Sequence, residues 1–193
     1  MPESSRGLRL LPGETVFTRE PGPEISERIR SILLDPSLEV PPLAELMLYF
    51  AGRAANVSLI VRPALERGAV VVCDRYIDAT TAYQGYGRGL PLQGIERANQ
   101  LATDGLKPDL TILMDLDPEE GFRRMDLSGR TLDRIEMEKM DFHRRVREGY
   151  LAIARGEPER FLVVDGMLDG KTQDSIILDQ VKIRGRERKA DSQ

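Results

Sequence analysis

The stretch Ala69-Val70-Val71-Val72-Cys73-Asp74-Arg75 decides the fold: five consecutive apolar residues, then a carboxylate and a guanidinium. A continuous apolar run this short, ending abruptly in charge, is the pattern of a strand covered on both faces in a parallel sheet. The pattern recurs twice. Leu110-Thr111-Ile112-Leu113-Met114 ends at Asp115, and Phe161-Leu162-Val163-Val164 ends at Asp165. Upstream, Val16-Phe17 ahead of Thr18-Arg19-Glu20 reads as a further short strand, which Pro21-Gly22-Pro23 stops.

Helical spacing fills the intervals. From Glu24, the residues Ile25, Ile29, Ile32 and Leu33 share one face, and Asp35-Pro36 ends that helix. Pro41-Pro42 opens the longest element, running to about Gly68, with Leu43, Met47, Phe50, Ala54, Val57, Val61 and Ala64 expected on its core stripe. Further helices are expected over 91–105, 118–127 and 136–155. Strands alternating with helices of these lengths predict an α/β fold, a parallel sheet flanked by helices on both faces. Ligands of such sheets bind beyond the carboxyl ends of the strands, so Arg19-Glu20, Asp74-Arg75, Asp115 with Asp117, and Asp165 stand where chemistry is expected.

The 193 residues fit a single domain over 1–184 with a lid at about 126–138, followed by a charged tail, 185–193, expected to fray. Forty per cent apolar and 31% charged residues exclude a collagen, a disordered tail protein and a disulfide-stapled miniprotein. A net charge of −4 gives no general affinity for nucleic acid. Neither a run of about 20 apolar residues nor a signal-peptide core is read in the sequence, and the expectation is a cytoplasmic protein with no membrane partner. Cys73 stands alone and can form no internal disulfide. Of the 28 cations, 23 are Arg, the side chain that grips oxyanions in a bidentate way; codon bias explains the excess equally well unless the arginines cluster.

They do cluster. Arg75 follows a buried run directly, where Asp74 could hold Mg²⁺ through water and Arg75 a phosphate; a structural ion pair is the competing explanation. Tyr83-Gln84-Gly85-Tyr86-Gly87-Arg88-Gly89 offers glycines for close backbone approach to a ligand and aromatics for stacking, or else a solvent-facing turn. Tyr49 and Arg53, four apart, project from one helix face. Arg130 and Arg134 follow a Ser-Gly turn in a segment suited to a lid that closes over phosphates. The lone His143 has no partner at metal spacing. Gly166 to Thr172 approximates a phosphate-binding loop but has three residues between its glycines where four are needed, and is read as a plain turn.

Taken together, these segments resemble the bacterial thymidylate kinase family of nucleoside monophosphate kinases. Phe17 to Gly22 is similar to that family's TREPG loop, Asp74-Arg75-Tyr76 to its DRY, and Ala82 to Gly89 to its AYQGxGRG. Lys107 to Thr111 and Asp115 to Pro118 resemble its KPDLT and LDxDP, and Asp133-Arg134-Ile135-Glu136 its lid. The resemblance implies a P-loop-kinase-like fold and phosphorylation of dTMP to dTDP, with Mg-ATP as donor, by a homodimer joined through its long helices. It implies that Tyr49, with Phe50 beside it, stacks on the base, that Arg53 meets the base edge, and that Thr80, Tyr83 and Gln84 surround thymine and deoxyribose. Arg19 and Arg75 fall on the substrate side and Asp74 on the Mg²⁺ side. Glu20, Arg75, Arg130 and Arg134 carry catalysis, the last two also reaching the ATP phosphates. The family begins with an apolar strand and G-x-x-G-x-G-K-[ST]; residues 1–15 read MPESSRGLRLLPGET and do not match it. A non-catalytic or truncated dTMP-binding homologue is therefore the alternative.

Overall fold

The acid-terminated apolar runs form strands where the sequence places them. The computed structural model describes residues 13–19, 24–129 and 131–190. In chain order these form β1 (Thr15–Arg19), α1 (Glu24–Leu34), α2 (Pro42–Asn56), a π-helical turn (Val57–Val61) running into α3 (Arg62–Glu66), and β2 (Val70–Asp74). Then come α4 (Ile77–Thr80) with a second π-helical turn (Thr81–Gly87), α5 (Leu92–Thr103), β3 (Thr111–Asp115), α6 (Pro118–Ser128), α7 (Met140–Gly156), β4 (Phe161–Asp165) and α8 (Gly170–Ala190). The charged segment from Gly185 thus continues α8 through Ala190.

Among the described residues all strand pairing is parallel, in keeping with the α/β class. β1 runs beside β2 from Thr15 opposite Val70 to Arg19 opposite Asp74, and β3 beside β4 from Thr111 opposite Phe161 to Asp115 opposite Asp165. The register therefore brings the charged strand ends together in pairs. Two expectations need correction. Among the described residues the four strands form two separate two-stranded sheets, with no ladder joining β2 to β3. Nor are the strands covered on both faces, since Phe17, Val70, Met114 and Val163 are exposed. Coverage varies along each strand: Val164 is buried at 2% exposure although Met114 opposite it is exposed.

The buried apolar clusters lie among the helices. Leu46 and Phe50 of α2 pack on Ile95 of α5; Phe142 and Val146 of α7 pack on Ala82 of the second π-helical turn and on Ile135. The long helix keeps the expected core stripe from Phe50 through Val57, Val61 and Ala64 but departs from it at Leu43, Met47 and Ala54, which are exposed. Leu46 is buried instead. Apolar residues almost encircle the first turns of α2, so periodicity alone cannot choose a face; the polar partners of Glu45 and Arg53 do. The helical run Pro42–Glu66 is long and apolar enough to cross a membrane by length and composition, but Glu45 and Arg53 are fully buried in its packed face.

Of the glycines after Tyr83, Gly85 and Gly87 make room for the protein's own packing, while Gly89 takes a left-handed turn at φ 75°. A Cβ on Gly85 would come within 2.5 Å of Leu92, and one on Gly87 within 2.7 Å of Phe142 and 2.8 Å of Val146. The loop from Gly166 is the plain turn its spacing predicts: the Asp169 carboxylate accepts from the Lys171 and Thr172 amides and occupies the start of α8 itself.

Candidate active site

The site grows out of two helical segments that run side by side in opposite directions. On α2, Glu45, Tyr49 and Arg53 repeat every four residues and share one face. Thr80, Gln84 and Arg88 repeat in the same way from the end of α4 through the π-helical turn. The two rows pair in reverse order. Arg53 Nη2 donates to Thr80 Oγ1 at 2.5 Å and to the Tyr76 carbonyl at 3.1 Å. At the other end the Glu45 carboxylate accepts from Gln84 Nε2 at 2.8 Å and from Arg88 Nε at 3.2 Å and Nη2 at 3.0 Å. Tyr49 stands between the two pairs. Its hydroxyl is pushed up to about 12 by burial, reinforced by the neighbouring Glu45 charge.

Each end of this seam is held by further residues. Arg53 is wholly buried, donates to Asn99 Oδ1, and lies 5.7 Å from the ring centres of both Phe50 and Tyr76. Phe50 is a core residue behind Arg53, 7% exposed. Glu45 also accepts from Arg134 Nη2 at 2.5 Å. Burial works to raise the Glu45 pKa, but the hydrogen bonds from Arg88, Gln84 and Arg134 outweigh it, and the carboxyl lies below its ordinary value.

At the carboxyl end of β2, Arg75 takes a left-handed backbone conformation, φ 65°. A non-glycine residue held there is strained, and such strain collects at functional sites. Its guanidinium lies 4.8 Å from the Tyr83 ring centre and donates to the Tyr83 hydroxyl at 3.3 Å. Tyr83 is set edge-on against Phe142 and Tyr150 of α7. Tyr83 and Tyr150 also line a cavity of about 400 Å³ between β3, α6 and α7, with Phe122, His143 and Arg147. Arg147 closes one side of it by a bidentate pair with Asp115, at 2.7 and 3.0 Å.

The structure thus brings Tyr49, Arg53, Thr80, Tyr83 and Gln84 into one neighbourhood, with Arg75 stacked on Tyr83. Arg19 stands opposite Asp74 in the strand register, its guanidinium on Glu27 at 3.0 and 3.2 Å. Arg134 does not extend toward a phosphate site here; besides Glu45 it donates to the Leu33 carbonyl at the end of α1, at 2.8 Å. Glu20 and Arg130 lie outside the described residues. The matching family model, Thymidylate kinase, spans residues 9–176.

The chain belongs to the thymidylate kinase family. The thymidylate kinase of Deinococcus radiodurans is 48% identical over 159 residues, covering 82% of this chain and 77% of that protein. That of Pelotomaculum thermopropionicum is 50% identical over 152 residues, 78% of this chain and 70% of that protein. The crystal structure of thymidylate kinase from Ehrlichia chaffeensis shares the fold with a TM-score of 0.68 and 32% identity, over 88% of this chain and 80% of that one.

Sequence reasoning missed Glu45, Asn99 and the bidentate pair of Asp78 with Arg160, at 2.8 Å on both arms, which ties α4 to the start of β4. Glu45 had a usable signal, because it precedes Tyr49 by one helical turn on the same face. Asp78 and Arg160 are 82 residues apart, and no local pattern joins them.

Proposed function

We propose that the protein transfers the γ-phosphoryl group of ATP to the 5′-phosphate of dTMP, giving dTDP and ADP. The observation that carries this reading is the seam of Glu45, Tyr49 and Arg53 against Thr80 and Gln84, set beside the strained Arg75. Tyr49 supplies a flat face for the thymine ring. Gln84 and Thr80 supply hydrogen bonds at its edge. Arg53, enclosed by protein, holds Thr80 and the Tyr76 carbonyl as the floor on which the base rests. Tyr83 crowds the position a ribose 2′-hydroxyl would need and sets the angle of Arg75, which grips the 5′-phosphate.

Phosphoryl transfer needs positioned charge rather than a covalent nucleophile. Arg75 and Arg19 fix the acceptor phosphate so that its oxygen lines up with the γ-phosphorus, Glu20 next to Arg19 is assigned to catalysis, and Arg130 and Arg134 to the donor side. For Arg134 this requires it to leave Glu45 and the Leu33 carbonyl. Among the described residues no three His, Cys, Asp or Glu side chains gather as a cage. Nucleotide-borne Mg²⁺ needs only one or two carboxylates beside phosphate oxygens, and Asp74 fits that role. When bound, Mg²⁺ offsets the charge of the ATP phosphates. The exposed Leu43 and Met47 on the outer face of α2 support a homodimer joined along that helix, and a cytoplasmic location accords with the reading.

A coupled assay of dTMP, ATP and Mg²⁺ tests the proposal, with dTDP and ADP appearing in equal amounts as the expected result. The second reading, a dTMP-binding protein without turnover, is favoured by the commitment of Arg134 to Glu45. Its signature is dTMP binding with no dTDP formed. Failure to bind dTMP overturns both.

A further inference from the structure

We infer that Glu45 fixes which way round the Gln84 side-chain amide sits, so that the site accepts pyrimidines carrying a hydrogen on N3 and turns away those with a lone pair there. The inference rests on Gln84 meeting the base, as proposed above, and assigns specificity to a residue that need not touch the substrate.

An amide has a donor end and an acceptor end of nearly the same shape. Here chemistry tells them apart. A carboxylate can only accept, so the end of Gln84 that meets Glu45 at 2.8 Å must be the NH₂ group. Both side chains are buried, Glu45 at 0% and Gln84 at 1% exposure, so no bulk water can take over if the amide turns. A flipped amide would set its oxygen against the carboxylate, two acceptors facing each other in a dry site, which is a costly arrangement. Glu45 is held in its ionised form by two guanidinium groups, Arg88 and Arg134, in addition to Gln84.

With the nitrogen end committed to Glu45, Gln84 Oε1 is the end left for a ligand. An acceptor at that point suits the N3–H of thymine or uracil and repels the N3 lone pair of cytosine. Glu45, Tyr49 and Arg53 lie along one helix face, so one rigid element sets both the plane in which the base stacks and the polarity of its edge contact.

Calorimetry with dTMP, dUMP and dCMP on the full chain and on Glu45→Gln tests this. A neutral amide at position 45 can meet Gln84 in either orientation. The preference for dTMP over dCMP is then expected to fall about tenfold or more, while the ratio of dTMP to dUMP stays unchanged because both carry N3–H. A merely structural role would weaken all three ligands together. The double variant Glu45→Gln with Gln84→Glu should restore the preference, since the exchanged pair again sets an amide against a carboxylate and leaves the carboxylate's second oxygen as the acceptor for the base. If circular dichroism shows Glu45→Gln unfolded, Glu45→Asp carries the same reading: it keeps the charge for Arg88 and Arg134 but draws it back from Gln84. A dTMP-to-dCMP ratio equal to wild type in whichever variant folds overturns the inference. Wild-type protein that binds no dTMP fails the functional reading instead, so the two failures are distinguishable.

Discussion

The polar seam between α2 and the second π-helical turn and the two strand pairs are built on opposite terms. In the seam, charged side chains are closed off from water and each is tied by several hydrogen bonds, as Glu45 is to Gln84, Arg88 and Arg134. In the strands, apolar side chains such as Val163 and Met114 remain in contact with solvent. A mutation in the seam therefore leaves a charge buried without its partner, whereas one at an exposed strand residue changes little. Buried charged contacts are concentrated in this seam, not on the exposed strand residues.

The largest expected effect comes from breaking the seam outright. Glu45→Ala leaves Arg88 with Glu138 and Arg134 with only the Leu33 carbonyl, the two guanidinium groups no longer separated by a carboxylate; removing one partner of a buried charge network costs about 3–5 kcal/mol, to be read from urea unfolding. The same comparison has a pH signature. The folded-state pKa of Glu45 lies below its ordinary 4.5, so its contribution is fully present above that pH and fades as pH falls through the folded value. The stability gap between wild type and Glu45→Ala should therefore narrow below about pH 4.5; a gap that stays constant down to about pH 3 would mean the carboxylate's charge is not what holds the seam.

Next in size is Arg75→Ala. Loss of a charge-assisted phosphate contact should weaken dTMP binding more than tenfold, about 1.5–3 kcal/mol, with little change in the unfolding midpoint because Arg75 is solvent-exposed. Calorimetry beside thermal melting separates the two quantities. Equal dTMP affinities would remove Arg75 from the site.

Gly149→Ala sharpens the comparison within the helical layer. Its new Cβ would come within 2.7 Å of the Tyr86 ring, and overpacking of this kind costs about 1–3 kcal/mol. Smallest of all, Val163→Thr at an exposed strand residue should shift stability by no more than about 0.5 kcal/mol. If Val163→Thr proved as damaging as Gly149→Ala, Val163 would have to be covered in solution.

The acid-terminated runs were legible because a short apolar segment has few ways to be buried, and β2, β3 and β4 begin and end within a residue of expectation. Tyr49 and Arg53 were legible as a pair because residues four apart on a helix share a face whatever the tertiary fold, Arg75 because it directly follows an apolar run, and Thr80, Tyr83 and Gln84 only through the family resemblance. The purpose of Gly85 and Gly87 was not legible, because an absent side chain looks the same whether a ligand or Phe142 fills the space. The inward face at the start of α2 was hidden too: Leu43, Leu46, Met47 and Phe50 give that helix apolar residues on more than one side.

The sequence by itself determined the class of fold, the order of its elements and the local rows of functional side chains, since each depends on neighbours a few positions away. Only the tertiary structure decided that the strands pair two by two, that Arg134 turns to Glu45 across 89 residues of chain, and that Glu45 meets Gln84 across 39. Those contacts join distant segments in a buried space. Their partners are selected by charge and by exclusion of water at a point that exists only once the helices have packed.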